Sequence, residues 1–145
     1  MSIMADRLSI PDTGHVCWVD LATSNAAAAT TFYGRLFGWR ARVERIDRGG
    51  CFQTFAKNGR AFASLYQLTA SQIACGVPSL WMPYVSVPDA EEAASRAVLL
   101  GGEILVAPQD VEGFARIAVI ADPTGALIGL WQAAGDGKEL RACST

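Results

Sequence analysis

One pattern of residues occurs twice in this chain, and that repeat limits the possible folds more than any single motif. In the first copy, Ser24 and Asn25 are helix N-cap residues, "AAAATTFYGRLF" is a helical run, and Gly38 ends it. In the second, Asp89 is the cap, Glu92 follows three residues on as in a capping box, and Gly101-Gly102 ends the run. Asn25 and Asp89 stand 64 residues apart, and so do Gly38 and Gly102. One strand-like run precedes each helix: "GHVCWVDLA" at 14–22 and "LWMPYVSV" from residue 80. Three follow it. They are "WRARVERI", "CFQTFAK" and "RAFASLYQL" in the first copy, and about 103–108, 114–121 and 126–133 in the second. Gly49-Gly50, Asn58-Gly59 and Asp122-Pro123-Thr124-Gly125 mark turns.

The expected fold is α+β: two tandem βαβββ modules forming a curved eight-stranded mixed sheet around a central cavity. The modules span 13–68 and 80–134, joined by a linker at 69–79, with flexible tails at 1–12 and 135–145. The helices should bury Ala29, Phe32, Tyr33, Leu36 and Phe37 in the first module, and Ala90, Ala93, Ala94, Ala97 and Leu100 in the second.

Charge and composition exclude several functions. The 145 residues carry a net charge of −2 and no basic stripe, so neither nucleic acid nor an anionic membrane is an expected partner. No window approaches 18 apolar residues, and the opening "MSIMADRLSI" does not read as a signal peptide. Cys17, Cys51, Cys75 and Cys143 form no CxxC pair. A cytoplasmic protein with reduced thiols is expected. The hydrophobic fraction, 51%, is high and points to a filled core, an apolar cavity or an oligomer interface.

The phrases "WVDLATSNAAAATTFYGRLFGW", "YVSVPDAEEAASRAVLLGG" and "ADPTGALIGLW" resemble the vicinal oxygen chelate superfamily of glyoxalase, bleomycin-resistance and extradiol dioxygenase proteins, over about 14–133. The resemblance is strongest to its glyoxalase-like group. It implies two modules enclosing one cavity, and a homodimer. In metal-dependent members the first strand of each module supplies His or Gln and the last supplies Glu. A divalent ion held this way stabilises an anionic intermediate. Carried over, those positions are Trp18 and Met82 on the first strands. On the last strands they are Gly129 and either Ala63 or Ser64. None suits a hard or borderline cation, so no metal and no other cofactor is expected.

Candidate residues follow from strand parity. Trp18, Asp20, Met82, Tyr84 and Trp131 share the cavity parity and make an expected ligand-binding set. Alternatively, the rings simply fill the centre. Asp20 is the one candidate base: among apolar walls its pKa would rise. Otherwise it pairs with backbone or with an arginine, Arg40, Arg42 or Arg116. His15, the sole histidine, has the opposite parity and reads as a strand-end residue in water or under the helix. Cys17 reads as a small buried hydrophobe rather than a nucleophile.

Three functions stay open. The first is a protein with a degenerate metal site that binds a small apolar or aromatic molecule. The second is an enzyme of lyase, isomerase or dioxygenase type, using Asp20 or a metal on non-standard ligands. The third is a non-catalytic scaffold with a filled cavity.

Overall fold

A computed structural model describes residues 13–45, 51–111 and 113–134. The first module contains β1 (Val16–Thr23), α1 (Ala26–Phe37), β2 (Arg40–Arg45), β3 (Cys51–Lys57) and β4 (Arg60–Gln67). A short helix, α2 (Ala70–Ala74), leads to β5 (Leu80–Ser86), α3 (Ala90–Leu99), β6 (Glu103–Val111), β7 (Ala115–Ala121) and β8 (Leu127–Ala133). The eight strands make a mixed sheet, and the α+β class read from the repeat holds. Chain contacts divide the molecule into two compact units. Of the described residues, one unit holds Trp18 to Met82 and the other holds those from 13 to 17 and from 83 to 134.

Within each module the first strand lies beside the last. The order is β2-β3-β4-β1 in the first and β5-β8-β7-β6 in the second. The β1–β4 and β5–β8 ladders are parallel, and β2–β3, β3–β4, β6–β7 and β7–β8 are antiparallel. Parallel neighbours need a long crossover, and the helix and two intervening strands provide it.

Asn25, Gly38 and Asp89 cap as the sequence implies, but the capping box expected at Glu92 does not form: among the described residues no bond returns from its side chain to the Asp89 amide. Asn25 accepts from the Ala28 amide at 3.0 Å, and Gly38 ends α1 at φ 73°, in the left-handed region that glycine favours. Asp89 accepts from the amides of Glu91 and Glu92. Asn58 and Gly59, at φ 53° and 80°, turn the β3–β4 hairpin. The 69–79 linker departs from the loop expected: it contains α2. Thr69 and Gln72 bond each other's backbone in a full capping box, and that local pattern starts a helix where the wider periodicity is silent.

Both helix stripes are narrower than expected. In α1, Ala26, Ala29 and Tyr33 pack on the core of Leu21, Phe55, Ala63 and Leu65, while Phe32, Leu36 and Phe37 stay exposed. A stripe at i, i+3 and i+7 faces the sheet; positions 32 and 36 lie to one side of it. Tyr33 is the hub, within 6.2 Å of the Phe37, Trp39, Phe55 and Trp81 rings, and its hydroxyl accepts from the Trp81 indole N–H. In α3, Ala90 and Ala94 are buried and Ala93 packs on the second core of Ala94, Ala118 and Leu130. Leu100 caps the helix and is exposed, because the chain reverses through Gly101 at φ 97°. The tails and the Gly49-Gly50 turn lie outside the described residues.

Candidate functional site

Strand pairing fixes which residues share a face. Residues directly opposite in a ladder project to the same side. In the first module Asp20 of β1 is opposite Ser64 of β4; in the second, Tyr84 of β5 is opposite Gly129 of β8. Asp20 and Tyr84 are also 64 residues apart, so the two pairs are equivalent. The counterpart of Gly129 is therefore Ser64, not Ala63, which resolves the alternative left by the sequence.

The first pair forms a short hydrogen-bonded chain. The Trp18 indole N–H donates to Ser64 Oγ at 2.9 Å, and Ser64 Oγ donates to Asp20 Oδ1 at 2.5 Å. Trp18 is buried, and Asp20 is half-buried. Burial pushes the Asp20 carboxyl above its ordinary value, while the Ser64 hydrogen bond pulls the other way. The partner of Asp20 is thus a serine hydroxyl and none of the three arginines considered. Arg116 instead bonds Asp110 at 2.9 Å and Glu91. Tyr66, two residues beyond Ser64 and so on the same face, was not singled out by the sequence. Its phenol is raised by burial and then by the nearby Asp20 charge.

The second pair is filled by a ring. A Cβ placed on Gly129 would lie 2.6 Å from Tyr84 Cγ and closer still to Cδ1 and Cε1. No side chain fits at position 129 while the tyrosine keeps its place. Tyr84 is 7% exposed, and Trp131, two residues on from Gly129, meets it edge to face at 6.0 Å and 76°. Met82 is half-buried.

These residues do not fit a chelated divalent ion. The Trp18 indole N–H donates a hydrogen bond to Ser64, and its nitrogen lone pair belongs to the ring π system, so it offers nothing to a metal. A glutamate at 129 would collide with Tyr84 from its first side-chain carbon. Among the described residues no three His, Cys, Asp or Glu side chains cluster in a metal-binding arrangement.

His15 is exposed at the start of β1, and its carbonyl accepts from the Ser86 amide. Burial pushes the Cys17 thiol up to about 11, so thiolate is scarce at neutral pH. A shallow groove of about 790 Å³ runs along α1 beside Asn25, Ala28, Phe32 and Leu36; it includes none of the candidate residues.

The comparisons with known proteins agree with this topology. The model of the Glyoxalase/Bleomycin resistance protein/Dioxygenase superfamily matches residues 14–130. The chain belongs to that superfamily. It is 33% identical over 129 residues to the anthracycline biosynthesis protein DnrV of Streptomyces peucetius, covering 82% of this chain and 47% of DnrV. It is 36% identical over 117 residues to the glyoxylase-named protein CFP32 of Mycobacterium tuberculosis, covering 80% and 44%. The chain thus spans about half the length of these relatives. Among solved structures, Streptomyces coelicolor methylmalonyl-CoA epimerase in complex with 2-nitronate-propionyl-CoA superposes with a TM-score of 0.62 at 17% identity, over 86% of this chain and 97% of that one. At that identity the likeness shows the vicinal oxygen chelate fold alone. No helix among the described residues is long and apolar enough to cross a membrane.

Proposed function

We propose that this superfamily member binds a small apolar or aromatic molecule without a metal, its chelating positions given over to ring packing and hydrogen bonding. The observation that carries this reading is the Tyr84 ring in the space beside Gly129. The binding residues we assign are Trp18, Asp20, Met82, Tyr84 and Trp131. Aromatic side chains commonly line small-molecule sites, where a ligand ring stacks on or meets them edge to face. The protein acts in the cytoplasm and as a homodimer in this reading.

The test uses 1-ethylnaphthalene as probe. Tryptophan fluorescence should be quenched on titration, and Trp18→Ala should weaken binding by about 1–3 kcal/mol. No saturable quenching and no shift in Tm would leave the scaffold reading instead. Elemental analysis of chelator-free protein should find no stoichiometric Zn, Ni, Mn or Fe; close to one ion per chain would overturn the metal-free assignment. Light scattering should return a dimer mass.

One observation favours a second reading. A half-buried carboxyl whose pKa burial raises takes up a proton more readily than an ordinary carboxylate, as a general base must. Under that reading Asp20 is the base, Ser64 orients it, and Asp20→Asn abolishes turnover.

A further inference from the structure

The first module holds a donor that no hydrogen bond among the described residues satisfies. Arg42 lies on β2, opposite Thr54 of β3; Thr54 is opposite Ser64 of β4, and Ser64 is opposite Asp20 of β1. Four register partners therefore form one row across four strands and project to one face. At about 4.8 Å per strand the row is about 14 Å long. Asp20 stands at one end and Arg42 at the other.

At the Arg42 end Glu44 and Thr54 are buried, while the Arg42 side chain is 28% exposed. Glu44, two residues along the same strand and on the same face, is 2% exposed. Its Oε1 accepts from Thr54 Oγ1 at 3.1 Å and from Arg42 Nη2 at 3.3 Å. Thr54 has no exposed surface. Arg42 Nη1 donates to the Gly59 carbonyl at 3.3 Å. Both bonds of the guanidinium are long. Its Nε is buried and has no hydrogen-bond partner among the described residues. A buried N–H left unpaired costs about 1–3 kcal/mol, and a guanidinium offers its donors in a fixed plane. Glu44 already balances the charge, so what Nε lacks is an acceptor atom, not necessarily an anion.

We propose that Arg42 is a specificity residue whose Nε donates to an oxygen acceptor on the ligand, a carbonyl or a carboxylate, while the acid end of the row at Asp20 lies about three strands away. This rests on the small-molecule reading above and narrows it to oxygen-bearing aromatic compounds.

The test compares three probes of one size: 1-acetonaphthone with a ketone, 1-naphthoate with a carboxylate, and 1-ethylnaphthalene with neither. Transfer from water alone ranks 1-ethylnaphthalene first. The expected result is the reverse, with an oxygen-bearing probe bound about tenfold to a hundredfold more tightly, the scale of a hydrogen bond to a charged group. That advantage should vanish in Arg42→Met and shrink in Arg42→Lys, which keeps the charge but not the planar fork. Affinity for 1-ethylnaphthalene should not change in either variant, which shows that both are folded. A preference for 1-naphthoate alone identifies the acceptor as a carboxylate; a preference shared with 1-acetonaphthone identifies any carbonyl oxygen. If 1-ethylnaphthalene binds and neither oxygen-bearing probe binds more tightly, the Arg42 role is overturned and the aromatic reading stands. An oxygen advantage that survives Arg42→Met also overturns it. If none of the three binds, both fall.

Discussion

The two modules share a topology and treat one position in opposite ways. Where the last strand passes the first, the first module has Ser64 opposite Asp20 and the second has Gly129 opposite Tyr84. Ser64 links an indole N–H to a carboxylate and keeps a polar, titratable group on the sheet face. Gly129 withdraws its side chain so that a phenol ring can lie over the backbone. The same register thus supports a hydrogen-bonded acid in one copy and an aromatic plug in the other. Duplicated architecture fixes where side chains meet, not what they do there.

The contrast is broken most severely from the second module. Gly129→Glu restores the carboxylate implied by the family pattern, and it should destabilise the protein by about 4 kcal/mol or more, because overpacking against a buried ring adds to burial of an unpaired charge. Urea denaturation measures this, and Tyr84→Ala in the same chain should recover part of the loss. Equal stability of Gly129→Glu and wild type would mean that Tyr84 moves aside freely. Tyr84→Ala alone should cost about 3–4 kcal/mol through the cavity it leaves.

The first module should respond more mildly. Ser64→Ala removes the hydrogen bonds that Ser64 makes to Trp18 and Asp20 and should cost about 1–2 kcal/mol. It should also move the Asp20 carboxyl further up, since the Ser64 bond holds it down; a carboxyl titration followed by NMR reads the shift. The smallest effect belongs to Asp20→Asn, and its sign is set by pH. Because the folded carboxyl is raised above 3.8, the folded state binds more proton than the unfolded state in the window above that value. The stability is fully present below the unfolded pKa and is lost as pH rises through the folded one. Asn cannot ionise and keeps an acceptor for Ser64, so the variant should lack this loss and melt above wild type at neutral pH. Superimposable Tm-versus-pH curves would show that burial of Asp20 is not felt.

Much of this was legible because it is local. Asn25, Asp89 and Gly38 act within one helical turn, and alternate residues on a strand face alternate ways, so caps, repeat and parity could be read from the sequence. Trp18 and Asp20 share a face for that reason. What the sequence concealed depends on partners far along the chain. Ser64 reaches Asp20 across 44 residues, and no spacing rule distinguishes it from Ala63 until the register is known. The unpaired Arg42 donor is likewise a property of four strands together. The exposed Phe32 and Leu36 show a different limit: an apolar stripe tells which residues can be buried, not how much surface the neighbouring sheet has to offer.

The Tyr84–Gly129 contact also bears on how such a sequence can change over generations. Glycine and glutamate codons can differ by a single base, so the mutation Gly129→Glu is genetically close. It is structurally remote, because the first carbon of the new side chain meets the ring. Shrinking Tyr84 first opens a cavity before any carboxylate exists to use it. Each order passes through a weakened intermediate, at a scale comparable with a large part of a domain's whole stability. If these costs are as large as predicted, the ring acts as a ratchet: under selection for a folded protein, a lineage that carries it is slow to regain a carboxylate at position 129.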